Sequence, residues 1–427
     1  IAGEATGPTA EFLRFVERSP VAAWIDHFTD GIEAQGAGAL ALRLDLPLGQ
    51  DHGQRVAGEF TLADNQLRLA GVPQLSQVNG RFAFTEQDLR ARDITAEILG
   101  GPVRVSMSSA EGRVRVTAEG SASLARAGRE WPSPLTSRLA GNAEWTFAAD
   151  VRPRFSTWTL ESALRGAAID LPVPLAKPAA EARPLRIERK AAANVPDEDA
   201  LTVTYGRTLA AAVHRRLDER GDARVDRVHV LVGAPVERGE IPRAERAGIW
   251  VAAELPTLNV DDWLALTRQG WTGTAEQGAA ADASAPVLQG LDVDAGRLEA
   301  IGRRLNDIRV TARRSGDDWR LDLRGREVAG TGVWSAATVG APNGRLVARL
   351  TRLTVPSEGD LVPWSGAAEA RGERKDDPGN PWPTLDVEAD AFVARGRDLG
   401  RLELVAQPRG NDWEIARMAL SNEGGRL

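Results

Sequence analysis

The residues best placed to do chemistry are two adjacent carboxylates, Asp317 and Asp318, beside Trp319 in the run Ser315-Gly316-Asp317-Asp318-Trp319. Such a pair could hold a metal or a substrate, and the same residue types also make a tight chain reversal. An internal repeat separates the two readings. Residues 291–319 align without a gap on residues 385–413, and Leu291, Asp292, Val293, Gly302, Arg303, Leu305, Ala312, Gly316, Asp318 and Trp319 each meet an identical residue. Leu298 and Ile308 meet Phe392 and Leu402, so apolar character is kept where identity is lost. Asp317, however, meets Asn411. One carboxylate of the pair is dispensable, while the Gly and the Asp/Asn character that a hairpin needs are retained. The segment is read as a turn.

Other chemistry finds little support. His27, His52, His214 and His229 are scattered, with no HxH, HExxH or Ser/His/Asp arrangement around them, so no metal set or triad is assigned. The chain has no cysteine, which removes disulfides, thiolate ligands and a Cys nucleophile. No GxxxxGK[ST] loop occurs, and no cofactor is implied. The carboxylates lie mainly on the polar phase of strand-like runs or in turns, where solvation accounts for them. The sequence reads as non-enzymatic.

The elements themselves are strands. In the alternating run "GALALRLDLPLG", Leu40, Leu42, Leu44, Leu46 and Leu48 fall on one face and Ala41, Arg43, Asp45 and Pro47 on the other. Similar pairs recur at Phe82 and Phe84, Val103 and Val105, Trp145 and Phe147, Val228 and Val230, and Ile249 and Val251. Together these residues are the candidate lining of an apolar groove. The fold class expected is mainly β: an elongated, curled antiparallel sheet built from repeats, with a few short helices. Helical spacing is read in residues 9–32, broken at Ser19-Pro20, in residues 207–221 through Leu209, Val213 and Leu217, and after Asn259, an N-cap candidate with Asp262 three residues on. Twelve tryptophans against nine Phe and one Tyr suit either a core or an apolar groove.

Residues 189–200, 270–285 and 370–383 read as linkers, the middle one Ala/Gly-rich with almost nothing to bury. They divide the chain into a first β segment (1–188) with N-terminal helices, a second (201–269) with short helices, and two β repeats (286–427). Leu427 falls in register with Val333, so the second repeat is expected to be truncated. Lys and Arg number 53 against 60 Asp and Glu, a net charge of −7 with no basic face, which argues against a nucleic-acid partner. No apolar run is long enough to span a bilayer, and "IAGEATGPTAEF" lacks a signal-peptide pattern, so any targeting signal is expected to lie outside the sequence.

Residues 144–189 carry a resemblance. Trp158, Leu160, Leu164, Gly166, Leu171-Pro172, Pro174-Leu175 and Lys177 resemble a string found in the YhdP branch of the AsmA-like family, with Glu161-Ser162-Ala163-Leu164 a small departure. The opening "EFLRFVERSPVAAWI", the run "GIWVAAELPTLNVDDWLAL" and the paired "GRRLNDI…GDDW" and "GRDLGRL…GNDW" units extend it over most of the chain. The resemblance implies an interior part of a long periplasmic protein of Gram-negative bacteria, anchored in the inner membrane. It further implies a groove whose partners are phospholipid acyl chains moving between inner and outer membrane. Alternation alone also fits a structural or adhesive β-repeat rod that packs its apolar faces together and binds protein or glycan outside. Both readings stand at the level of sequence.

Overall fold

The computed structural model describes residues 2–426 except 20–28, 46–54, 70, 86–87, 111–112, 134, 153–154, 192–197, 218–222, 271–285, 301–302, 338–340, 342–343, 356–382, 410–411 and 423–424. The chain forms two units, one of residues 1–171, 175–206 and 213–224, the other of 172–174, 207–212 and 225–427. Both are mainly strand.

In the first unit the strands are β1 (Ala2–Pro8), β2 (Glu33–Asp45), β3 (Arg55–Leu69), β4 (Val72–Thr85), β5 (Leu89–Ile98), β6 (Gly101–Ala110), β7 (Arg113–Ser123), β8 (Leu139–Arg152) and β9 (Phe155–Ser162). Short β10 (Ala167–Ile169), β11 (Leu185–Ala191) and β12 (Glu198–Tyr205) follow. From β1 to β9 each strand pairs antiparallel with the next, β9 pairs with β11, and β11 with β12; β10 adds to β8. This is a meander, in which sequence neighbours are also space neighbours. Strand β1 gives no signal in the sequence, because its Ala, Gly and Thr residues do not alternate. It precedes the helix α1 (Thr9–Glu17), and the second helix expected after Pro20 lies outside the described residues.

Strand β13 (Leu209–Leu217) is divided between the units. The spacing of Leu209, Val213 and Leu217 predicts a helix there, and the structure corrects it to a strand. A four-residue spacing also satisfies a period of two, and β-branched Val213 favours the strand.

In the second unit the strands are β14 (Ala223–Gly233), β15 (Gly248–Asn259), β16 (Leu288–Ala300), β17 (Arg303–Ser315), β18 (Asp318–Arg324), β19 (Val328–Ser335) and β20 (Arg345–Val355). Then come β21 (Thr384–Ala394), β22 (Arg397–Arg409), β23 (Asp412–Asn422) and the short β24 (Gly425–Arg426). Pairing is again sequential, but β14 with β15, β15 with β16 and β20 with β21 are parallel. A parallel neighbour requires the chain to return to the strand's starting end, which takes a crossover of about a dozen residues or more. Residues 234–247, 260–287 and 356–383 are the connections between those pairs, and the second and third contain the stretches that read as linkers. The first carries a one-turn helix, Ala234–Glu237, and the second opens with the helix Val260–Gly270. That latter helix is capped as its sequence predicts, the Asp262 N–H donating to Asn259 Oδ1 at 3.2 Å.

Long strands bend where bulges fall side by side. Register shifts occur at Gln35/Ala37 in β2, Leu62/Asn65 in β3, Ser76/Asn79 in β4 and Ala91/Ile94 in β5. Asp64, Gln77 and Asp93, one on each of β3 to β5, take positive φ there, and Gly36 has φ 121° with Asn65 so close that a Cβ would lie 2.8 Å from it. Buried Asn65 stitches the line, its Nδ2 donating to the carbonyls of Ala37 and Ala63. Bulges of this kind bend a strand and raise its twist. The packed core of the unit, Leu62, Val78, Ala91, Ile94, Ala96 and Val103, gathers along this line.

The second unit repeats the device. Asp307 is at φ 49°, Gly330 at 141° and Gly400 at 78°, and its core includes Ala295, Leu298, Ile308, Leu350, Ala389, Phe392 and Leu402. Ala295, Leu298 and Ile308 correspond in the internal repeat to Ala389, Phe392 and Leu402, so the buried positions recur with the sequence.

Candidate functional site

Cross-strand register shows which side chains share a face, because successive residues of a strand point to opposite sides. In the first unit one row runs Ala5, Leu40, Phe60, Phe82, Ala91, Met107, Val116, Ala149, Trp158 from β1 to β9. A neighbouring row runs Ile94, Val105, Ala118, Phe147, Leu160, Ile187, Val203 from β5 to β12. Leu42 lies over Gly58, which stands opposite Phe84; a Cβ at Gly58 would come within 2.3 Å of that ring, so the glycine makes room for it.

The second unit has a row that crosses ten strands without a polar side chain. From β14 to β23 it reads Val230, Val251, Leu291, Ala312, Leu321, Gly332, Ala348, Val387, Leu404, Met418. Val228 and Ile249 flank it in the same register.

The opposite face is charged and wet. Glu59 and Arg81, Arg104 and Glu119, Arg113 and Asp150, and Glu161 and Arg186 pair across strands of the first unit. In the second unit Arg313 and Arg309 pair with Asp292 and Asp294, and Arg349 reaches both Asp386 and Glu388. Exposed pairs like these add little stability each. Their consequence is orientation: this side faces water, and the aliphatic and aromatic side is the other.

That apolar side is incompletely covered. Apart from the residues along the bulge lines, Leu40, Leu42, Phe60, Phe82, Phe84, Val105, Met107, Trp145, Phe147, Trp158 and Leu160 are only half-buried, as are Val228, Val230, Ile249, Val251, Leu291, Leu321 and Leu404. Part is shielded by α1, whose Phe12 meets Phe60 edge-on at 5.1 Å between ring centroids, while Phe15 stays exposed. Contiguous apolar surface of this kind is a candidate place for an apolar ligand.

The sequence-derived lining residues therefore stand together on these faces: Leu40, Leu42, Phe82, Phe84, Val103, Val105, Trp145 and Phe147 in the first unit, Val228, Val230, Ile249 and Val251 in the second. Val103 is buried in the packed line. Leu44 is in register with Val56, and Leu46 and Leu48 lie outside the described residues.

The Asp317 turn is a turn. Ser315 pairs with Asp318 across a two-residue loop, Gly316 takes φ 67°, and the Asp317 side chain is 96 % exposed. Among the described residues no group of three or more His, Asp or Glu could hold a metal ion. His214 contacts Glu198 at 2.9 Å and His229 contacts the Arg243 backbone; His27 and His52 lie outside the described residues. Among the described residues no helix is long and apolar enough to cross a membrane.

Two polar features on the first unit are not legible in the sequence. Lys177 is buried with its Nζ donating to the carbonyls of Ala167, at 2.6 Å, and Pro178, at 3.1 Å, and burial lowers its pKa. It ties down the irregular segment between β9 and β11, helped by Tyr205, whose hydroxyl donates to the Leu175 carbonyl. The second is a cluster of Arg189, Asp199, Arg215 and Ser156 at one end of the apolar face.

Each unit thus presents a one-sided apolar β face, bent along a line of bulges. The chain belongs to the YhdP family: the family profile described as "YhdP protein" matches residues 1–427. It is similar to the "Intermembrane phospholipid transporter YhdP" of Escherichia coli (strain K12), at 25% identity over 345 residues, covering 77% of this chain and 25% of that protein. The chain thus spans about a quarter of the length of that curated relative. No solved structure matches it.

Proposed function

We propose that this chain carries phospholipid acyl chains on its apolar sheet faces, as part of a non-enzymatic route between the inner and outer membranes of a Gram-negative envelope. The working location is the periplasm, with membrane attachment supplied by other parts of a longer, inner-membrane-anchored protein. The observation that carries the reading is the nonpolar row from Val230 to Met418, continuous over ten strands yet only partly covered at Val230, Val251, Leu291, Leu321, Leu404 and Met418. Acyl chains laid along it withdraw both themselves and the face from water, at about 0.8 kcal/mol for each buried methylene. A surface of aliphatic side chains holds such chains without directional bonds, so a lipid can shift along it by small steps. The name of the similar E. coli protein supports the same cargo. A rod of mutually packed faces would instead bury these rows.

Site-specific photo-crosslinking in cells tests the reading. A benzophenone amino acid at Phe82, Phe147 or Leu404 is expected to yield phospholipid adducts, and at Arg81, Thr146 or Glu403, one residue away on the charged face, none. Equal labelling of both sets, or of neither, contradicts it.

A further inference from the structure

The apolar face of the first unit meets charge at both ends of β12. At one end Arg183 stacks over Tyr205 and is paired with Glu181; at the other, by register and side-chain contact, are Arg189 on β11, Asp199 on β12 and Arg215 on β13. Arg189 lies in phase with Leu185 and Ile187, and opposite Trp158 and Leu201. All three stand at strand ends: Arg189 two residues before β11 ends, Asp199 at the second residue of β12, Arg215 two before β13 ends. Ser156, near the start of β9, joins them. The cluster therefore sits at one rim of the apolar face, with the rows through Ile187 and Leu160 leading away from it.

Its charges do not balance. Asp199 is 1 % exposed and accepts Arg215 Nε at 2.8 Å, Arg215 Nη2 at 2.7 Å and Arg189 Nε at 2.5 Å, while Arg189 Nη1 donates to Ser156 Oγ at 2.5 Å. Two guanidiniums against one carboxylate leave a net positive charge. A guanidinium carries five N–H donors, so among the described residues these four bonds leave most donors over. The carboxylate is covered, whereas the Arg189 and Arg215 side chains remain 19 % and 21 % exposed. What the cluster presents outward is cation and N–H, held in place by the aspartate beneath.

We infer that Arg189 and Arg215 form a docking site for the phosphate of an amphipathic phosphodiester whose acyl chains lie on the adjoining apolar rows. Arginine's planar fork suits phosphate oxygens, and the contact is strongest where neighbouring apolar surface keeps water away. A lipid in this position has its headgroup at the rim and its chains inward, so the site would select orientation and stop a lipid from entering headgroup first. This rests on the proposed function and adds a specific headgroup contact to it.

The test compares two probes with the same chains, dioleoyl phosphatidylglycerol and diolein, delivered from cyclodextrin to the 427-residue chain and followed by tryptophan fluorescence. The chain is expected to bind phosphatidylglycerol about tenfold more tightly than diolein, the scale of charge-assisted hydrogen bonds. In the Arg189→Gln/Arg215→Gln variant the two affinities converge, with diolein unchanged; a merely structural clamp would weaken both probes together. Equal affinities in the unaltered chain overturn the headgroup site and leave the apolar-face reading standing, whereas failure to bind either probe overturns the apolar-face reading itself. Inorganic phosphate alone is expected not to bind in the same range; if it binds as tightly as phosphatidylglycerol, the arginines serve free phosphate and the inference fails. Should the double variant not fold, the comparison of the three probes on the unaltered chain decides.

Discussion

Leu402 and Leu404 offer a matched pair of probes, since they lie two residues apart on β22, on one face, and lose the same atoms on truncation. Leu402 is 2 % exposed in the packed line, in register with Ala389 and Leu420. Leu404 is half-buried in the open row between Val387 and Met418. Leu402→Ala removes three buried carbons, a transfer loss of about 2.4 kcal/mol at about 0.8 each, and leaves a closed cavity that raises the cost to about 3–4 kcal/mol. Leu404→Ala forfeits most of that transfer but opens no closed cavity, so about 2 kcal/mol is expected. Urea denaturation of the lipid-free chain, followed through tryptophan fluorescence, reads the difference as a gap of about 1–2 kcal/mol between the variants. Lipid should invert the ranking of function: Leu404→Asp lowers bound phospholipid while the fold persists. Equal destabilisation by the two alanine substitutions would mean that the row through Leu404 is covered by protein, and the reasoning from half-exposure would be wrong.

Asp317→Asn should change stability by no more than about 0.5 kcal/mol in the same denaturation assay, because the side chain is exposed in a hairpin loop and the repeat carries Asn at the matching position. Burial by itself would raise the Asp199 carboxyl pKa, but hydrogen bonds from Arg215 and Arg189 overcome this and hold it below its ordinary value. With a folded-state pKa lower than the unfolded one, its stabilisation is complete above the unfolded carboxylate range and fades as pH falls toward the folded value. Asp199→Asn should therefore destabilise the chain at neutral pH and converge with the unaltered chain in acid, which thermal melts across pH would show. Gly36→Val should be among the most damaging single changes, since it places a β-branched side chain at φ 121° and 2.8 Å from buried Asn65; circular dichroism of the expressed variant checks it.

The strands and their faces are legible because a half-buried strand must alternate, and runs such as Leu40–Leu42 and Phe82–Phe84 do so without ambiguity. The turn at Gly316 and the cap at Asn259 are legible because each depends on local chemistry alone. Pairing direction is not. Whether β15 lies parallel to β14 depends on where the intervening chain travels, and residues 234–247 carry no periodicity that reveals it. The bulge lines are hidden for a related reason: Asp64, Gln77 and Asp93 take positive φ because neighbouring strands bend together, a cooperative demand invisible in any one of them. The Arg189 cluster is concealed because Arg189 and Asp199 bound a polar stretch that reads as a connection. The signal for it is phase, since in "LRIER" Arg189 continues the Leu185 and Ile187 face.

The central claim is that the open face is filled by lipid rather than by protein, and native mass spectrometry of the chain purified from an envelope fraction without detergent tests it most directly. Satellite peaks are expected at the mass of intact phospholipids, present in the unaltered chain and in Glu403→Gln on the charged face, and strongly depleted in Leu404→Asp. A single lipid-free mass in the unaltered chain, or satellites that Leu404→Asp leaves undiminished, would contradict the account.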